Sequence, residues 1–563
     1  MTNPQLILLI AIPAAAGLIN IALAKQLTLA RTVGCIAFGA QLTFALIFLF
    51  EIMRNDTILV SQMGDWPAPF GITIVFDCLS GLLIAGAGAV ALGAYVHAFA
   101  LLPAETERRY FHALMQFVLL GVNMSFLTGD LFNLFVAFEV MLLASYPLLT
   151  LGATRRQTSQ AYKYVLLNLL ASTVFVMAAG MTYGMFGTLN IADLSRIVHE
   201  INADPEQSLP VGFTALGILL LLVFALKGAF FPLWFWLPDA YPTTPTPISG
   251  FFAGVLTKVG VYSIARIFTL VFAVDDEARA VIYTILAIAA AFTMFLGVLG
   301  AVCQHEVRRI LAIHVISQVG YMAFGLVVLT PAALAGVAFH VVHNMVVKSS
   351  LFLCCGAMEK HAGTDDLDRM GSLLKRDTLL AILLFIAAMS LVGLPPLSGF
   401  YGKLIIIREG WTPELWWLSI VGLLTGALTL LSMLKIWSYG FWSPKPKRET
   451  PDAPKPDFDA PTTRRLLGPA YVGITLLVAL ALYLGFGAQS VYDVAIRAGE
   501  ELADPSRYIA SVLQLDESTV RAEIVQPTDP AADPTTGPVT GSALAHHPTL
   551  DASQPTLAEG GAP

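Results

Sequence analysis

Fourteen predominantly apolar stretches recur along the chain, each near the roughly 20 residues that a helix needs to cross a bilayer core. They fall near 6–24, 32–52, 73–100, 110–128, 131–153, 161–187, 211–236, 248–271, 279–302, 309–329, 331–356, 378–407, 414–440 and 466–488. In lipid every backbone N–H and C=O has to be satisfied within its own segment or sheet. The expected fold is therefore an all-α polytopic membrane protein of about 14 spans. Only 13% of the 563 residues are charged, against about a quarter in a soluble domain. That balance excludes a water-soluble enzyme, a disordered chain and a nucleic-acid binder. The first stretch lacks the basic start and small-residue cleavage site of a signal peptide and reads as the first span. Cys35, Cys78, Cys303, Cys354 and Cys355 lie in or beside apolar stretches without metal-ligand spacing. They read as small buried residues, and no metal or cofactor is expected.

Lysine and arginine orient the spans, because short cytoplasmic loops carry the excess of both. Loops after odd-numbered spans hold nineteen of them, and those after even-numbered spans, with their flanks, hold five: Arg54, Arg196, Arg266, Arg279 and Arg408. Odd loops are expected in the cytoplasm and both termini outside. Arg497, Arg507 and Arg521 belong to the tail, which leaves five basic residues of 32, all lysines and all inside spans. These are Lys227, Lys258, Lys348, Lys403 and Lys435. A charge at the bilayer centre costs about 2.5–3.5 kcal/mol even on lenient scales, so such residues face protein or water, pair, or lose protons.

Lys435 sits near the cytoplasmic end of span 13 and is expected to snorkel to the headgroups. Lys258 lies roughly 15 Å into its span, and Lys227 falls in the middle third of its own. The one deep carboxylate is Glu139; Glu51, Asp77 and Asp130 fall near span ends, where solvation is the default. A Glu beside a Lys in a site of modest dielectric is a switch, since each charge changes how firmly the other group holds its proton. A static ion pair between two helices would explain one Glu–Lys couple but leaves the other lysines without carboxylates. Span 11 adds His340, His343, Asn344 and Lys348 on one broad face, which reads as a hydrogen-bonded proton relay; it has no carboxylate to complete a metal site. His314, Ser317, Gln318 and Tyr321 form a second polar stripe on span 10, open between relay lining and interhelical hydrogen bonding.

Two spans carry helix breakers near a buried lysine: Lys227-Gly228-Ala229-Phe230-Phe231-Pro232 in span 7, and Gly393-Leu394-Pro395-Pro396 ahead of Gly399 and Gly402-Lys403 in span 12. Corresponding broken helices in two halves point to a transporter built from inverted repeats. Spans 4–8 (110–271) and 9–13 (272–440) would be those repeats, after an N-terminal unit 1–109. A cytoplasmic linker is expected at 441–465, span 14 within 466–490, and an extracellular tail over 491–563. The tail is expected to be mostly disordered, with one amphipathic helix near 491–525.

Several segments then carry a family resemblance over roughly residues 1–490. They are Gly64-Asp65-Trp66-Pro67-Ala68-Pro69-Phe70-Gly71-Ile72, the run 129–146 around Glu139, Phe231-Pro232-Leu233-Trp234-Phe235-Trp236-Leu237-Pro238-Asp239-Ala240-Tyr241, and Thr257-Lys258-Val259-Gly260-Val261-Tyr262. The chain resembles the D-type component of the Mrp-type multisubunit Na⁺/H⁺ antiporters, and more distantly the antiporter-like proton-pumping subunits of respiratory complex I. Segments 64–72 and 239–241 favour the Mrp D branch.

The resemblance implies a secondary transporter subunit rather than an enzyme, moving protons along buried Lys, His and Glu near the midplane under the membrane potential and proton gradient. It implies a cell-membrane location, no cofactor, and partners of A, B, C, E, F and G type in a larger complex, with H⁺ and Na⁺ as the ions. Glu139 and Lys227 resemble the pair whose separation tunes protonation, and Lys258 the central proton carrier. His340, His343 and Lys348 resemble the connection between half-channels, and Lys403 the terminal lysine that exchanges protons with the outside. Residues 250–254 contain no histidine, so none is expected in that role on span 8. The alternative is a proton-pumping subunit of a complex I-like NADH:quinone oxidoreductase or membrane-bound hydrogenase.

Overall fold

The computed structural model describes residues 3–443 and 468–524; the expected linker from 444 onward and the tail beyond 524 lie outside them. Among the described residues thirteen helices are long and apolar enough to span a membrane, and a fourteenth is split in two. Helices α1 (Leu8–Ala22) and α2 (Leu27–Asn55) lead into an antiparallel hairpin, β1 (Leu59–Gln62) and β2 (Thr73–Phe76), paired Leu59 to Phe76. Then come α3 (Cys78–Leu101), α4 (His112–Leu127), α5 (Leu131–Leu149) and α6 (Arg155–Phe186). Apart from the hairpin the architecture is the all-α membrane fold expected.

Span 3 was expected to begin at 73. Thr73-Ile74-Val75-Phe76 is instead strand, as suits its β-branched residues, and the helix starts where the Asp77 side chain accepts the Ser80 N–H at 2.8 Å. Asp130 caps α5 in the same way, accepting the Asn133 N–H at 2.7 Å. A capping box of Thr154 and Gln157 starts α6.

The second part of the bundle begins with α7, which runs Phe213–Gly228 (α7a) and resumes as Leu237–Thr243 (α7b). It continues through α8 (Thr246–Ile267), α9 (Asp276–Cys303), α10 (Val307–Val328) and α11 (Pro331–Ala362). Next are α12a (Thr378–Val392), α12b (Ser398–Glu409), α13 (Trp416–Trp437) and α14 (Gly468–Phe486). The most apolar stretches of α8, α10 and α11 are wholly enclosed by neighbours, whereas α1, α2, α6, α13 and α14 expose apolar side chains such as Ile36, Leu169, Leu423 and Val472. Helices apolar all round form the centre, and the outer ring turns its apolar surface to lipid.

The breaks in α7 and α12 share a backbone plan. A residue in the left-handed region, Ala229 at φ 59° and Gly393 at φ 91°, ends the first half three residues before Pro232 and Pro396 respectively. Protein groups satisfy the freed backbone: Phe231 N–H donates to Thr293 Oγ1 at 2.9 Å, and Leu226 C=O accepts from Trp236 Nε1 at 3.1 Å.

Two sequence expectations change here. The segment after α14 forms three helices rather than one: α15 (Ala488–Ala503), α16 (Ser506–Leu513) and α17 (Glu517–Ile524). They pack on the body because Val494, Ala495, Ala498 and Leu502 make an apolar face that is buried. Lys435 does not reach for headgroups: its Nζ donates to the carbonyls of Val302, at 2.6 Å, and Gln304. It ties α13 to the carbonyl end of α9, where a cation is favoured.

A buried polar axis

Glu139 lies on α5, half-buried, and accepts a hydrogen bond from Ser172 Oγ on α6. Lys227 ends α7a just before the break. Its Nζ is buried without a hydrogen-bond partner and stands 5.6 Å from the centroid of the Phe138 ring. Glu139 acts on it electrostatically, yet the two form no ion pair within 4 Å. The pair expected from the sequence is thus a near approach rather than a contact.

Helix α8 crosses α7a backbone to backbone: a Cβ on Gly260 would stand 2.5 Å from Gly228 N and 2.7 Å from Phe224 O. Glycine at both positions lets the helices carrying Lys227 and Lys258 touch. Lys258 Nζ donates to Ala253 O at 2.6 Å. On its other side α8 meets α11, where Ser349 Oγ donates to Gly250 O at 2.7 Å.

Along α11, Lys348 is fully buried with no partner for Nζ. Asn344 Nδ2 lies 3.0 Å from His340 Nε2, and the His340 and His343 rings are 5.5 Å apart. Lys258, Lys348 and Lys403 all act electrostatically on both histidines. His343 Nδ1 is 2.8 Å from Ser398 Oγ, the first residue of α12b. Lys403 Nζ, one turn farther along α12b, donates to Leu391 O at 2.7 Å and Val392 O at 3.1 Å. A buried lysine thereby satisfies carbonyls that the α12 break releases.

The stripe on α10 divides. The Tyr321 ring lies between Lys403 Nζ, 4.9 Å from its centroid, and the His340 ring at 5.7 Å, so it lines the axis. Ser317 Oγ donates to His314 O at 3.2 Å and accepts from Gln318 Nε2 at 3.4 Å, hydrogen bonds within one helix. His314 Nε2, Gln318 Oε1, His340 Nδ1, His343 Nε2 and Asn344 Oδ1 are buried without a protein partner.

Gly402 sets how close α12b comes to α11: an added Cβ would lie 2.9 Å from His340 Cβ and 3.1 Å from its Cα. Gly402→Ala is expected to cost about 1–3 kcal/mol through overpacking, read as a lower unfolding midpoint of the solubilised protein. Gly39→Ala, whose Cβ meets nothing within 4 Å, should leave that midpoint in place.

One buried charge group differs from what the sequence suggests. Asp77 is not solvated: it is fully buried and ion-paired with Arg266, itself buried in the last turn of α8. Starting span 3 at residue 73 placed Asp77 near a span end, where solvation is the default. The signal available was Arg266 itself, two turns beyond Lys258 on the same helix face.

Residues 128–429 match the family described as "NADH:quinone oxidoreductase/Mrp antiporter, TM". The D-type subunit of the Na(+)/H(+) antiporter of Alkalihalophilus pseudofirmus is 41% identical over 512 residues, covering 91% of this chain and 100% of that protein. Among solved structures, a chain of the Mrp complex from Dietzia sp. DQ12-45-1b superposes with a TM-score of 0.80 at 31% identity, covering 90% of this chain and 99% of that one. A chain of the membrane-bound sulfane sulfur reductase, an archaeal respiratory membrane complex, gives 0.81 at 25% identity, covering 91% and 100%. With more than half its length matched and a relative aligned end to end, this chain belongs to the NADH:quinone oxidoreductase/Mrp antiporter family.

Proposed function

We propose that this chain is the D-type subunit of a multisubunit Na⁺/H⁺ antiporter, a transporter component that works with A, B, C, E, F and G type partners in the cell membrane. The observation that carries this reading is a run of buried lysines, Lys227, Lys258, Lys348 and Lys403, 5%, 1%, 0% and 6% exposed, with His340 and His343 among them. None has a carboxylate within 4 Å among the described residues. Cations so enclosed repel one another, so a proton gained by one is disfavoured on the next and charge moves along the row. Orphaned polar atoms beside them call for water, the usual partner of such groups.

Glu139 and Lys227 are the coupling element. When they separate, Lys227 loses its counter-charge and hands its proton toward Lys258; Lys348, His340 and His343 carry it across, and Lys403 exchanges it with the outer solution. Each charge moved through the membrane potential is worth about 2.3 kcal/mol per 100 mV. The segments 110–271 and 272–440 are the two inverted repeats, and both termini lie outside. The 41% identity to an antiporter relative of D type and the 31% identity to the Mrp complex chain favour this reading over a place in a respiratory complex such as the sulfane sulfur reductase, where identity is 25%.

In inverted vesicles, Lys227→Ala is expected to abolish Na⁺-driven proton movement while the complex still assembles on native gels. Full retained activity would sink the proposal.

A further inference from the structure

The cap made by α15, α16 and α17 brings a third charge to the buried Asp77–Arg266 pair. Glu501 on α15 is 7% exposed, and its Oε2 accepts the Cys78 N–H at 3.2 Å, next to Asp77 at the start of α3. Like Arg507, Arg266 acts on Glu501 electrostatically, and it pairs with Asp77. Its charged carbon lies 4.9 Å from the Tyr508 ring of α16 and 5.4 Å from the Tyr262 ring, while Nη1 is buried with no partner. Two carboxylates around one buried arginine are neutral together only when one is protonated, and an uncompensated buried charge is expensive. Asp77 takes the arginine in a direct ion pair, so the proton belongs to Glu501.

Two features connect this proton to its surroundings. On one side Glu501 lines a cavity of about 390 Å³ that opens between α15, α16 and α17. On the other, Arg266, the partner of Asp77, lies two turns from Lys258 on α8, so the charge of this cluster stands on the helix that carries the central lysine.

We propose that Glu501, with Asp77, is a proton-binding station on the outer face, whose occupancy sets the charge beside the helix that carries Lys258. The inference rests on the proton-translocation reading above and adds to it an outer access on the first repeat, separate from Lys403. A proton from the outer solution binds the Glu501 carboxylate and passes to Asp77, leaving Glu501 ionised for the next.

The charged neighbours agree. Burial pushes the Glu501 carboxyl well above the usual carboxylate range, and the Asp77 charge adds to the rise; Arg266 and Arg507 oppose it. Within the cavity Arg497, Arg507 and Arg521 face Glu500, Asp504 and Glu517. Asp56, beyond the end of α2, pairs with Arg507 and Arg497, which hold its carboxyl below the ordinary range. Helix α11 meets α15 through Pro331 and Ala335, which do not titrate.

The test uses the assembled complex in membranes and a hydrophobic carbodiimide, which reacts with protonated carboxyls. Mass spectrometry should find the adduct on Glu501 at neutral outer pH. The Glu501 carboxyl is pushed up to about 7, so labelling should be strongest below neutral pH and fade as pH rises through neutrality. No adduct at any pH, or one that ignores pH, overturns the proposal. Glu501→Gln keeps an acceptor for the Cys78 N–H and should assemble normally but lose most transport driven by outer protons; unchanged transport also overturns it. Labelling does not depend on transport, so failure of the Lys227→Ala experiment leaves this result readable on its own.

Discussion

Lys258→Ala should silence the antiporter, lowering Na⁺-dependent proton flux in inverted vesicles by about a hundredfold or more, the scale of losing one positioned proton-transfer group. The side chain is 1% exposed, and its hydrogen bond goes to Ala253 O within its own helix. It is therefore not a staple between helices, and its removal should leave the complex assembled. Alanine leaves a gap between the lysine of α7a and the polar row of α11 that no neighbouring titratable side chain fills. Lys258→Arg is the sharper variant. A guanidinium keeps its proton at any attainable pH, so it supplies the charge without the exchange, and it should be as inactive as alanine. Activity restored by arginine would mean that a fixed positive charge suffices, and the carrier role would fall.

The second large effect is on stability. Arg266→Leu leaves Asp77 buried with no cation, and removing one partner of a buried pair typically costs about 3–5 kcal/mol. The expected readout is a steep fall in folded protein recovered from membranes and in its thermal midpoint. Asp77→Asn should cost less, because Glu501 stands ready to ionise and pair with the arginine. The double variant Asp77→Asn/Arg266→Gln, which removes both charges, should recover part of the loss. Equal damage from the two single variants would remove Glu501 from the account.

Most of the membrane architecture could be read from the chain because the constraint is crude and strong. A bilayer demands about twenty apolar residues per crossing, and any ionisable residue that violates the demand announces itself. Lys227, Lys258, Lys348 and Lys403 stood out for that reason, as did His340 and His343. The errors came where a boundary shifted by a few residues. Thr73-Ile74-Val75-Phe76 is as apolar as a helix start, so Asp77 reads as a residue near a span end where solvation is the default, and Arg266 is counted with the flank of its span. Glu501 was harder still. Its one unusual trait is its place among Val494, Ala498 and Leu502 on the inward face of α15, which has meaning only once that face is known to be covered. The distance between Glu139 and Lys227 also lay beyond sequence patterning, since it depends on how α5 and α7a rotate, and on Ser172 offering the carboxylate a different partner.

Helix α11 has a mechanical consequence. It runs 32 residues without an interior proline or a left-handed turn, roughly 48 Å at 1.5 Å per residue, and is enclosed along its apolar stretch. A rod held on every side can neither bend nor slide without disturbing all its neighbours. The spacing between His340, His343 and Lys348 is thus a fixed scale. The interruptions of regular backbone are elsewhere, at Ala229 and Gly393, each beside a lysine. The chain thus sets one unbroken, enclosed helix beside two interrupted ones, and a substitution that stiffens a break is expected to slow turnover in the vesicle assay while leaving the spacing on α11 as it is.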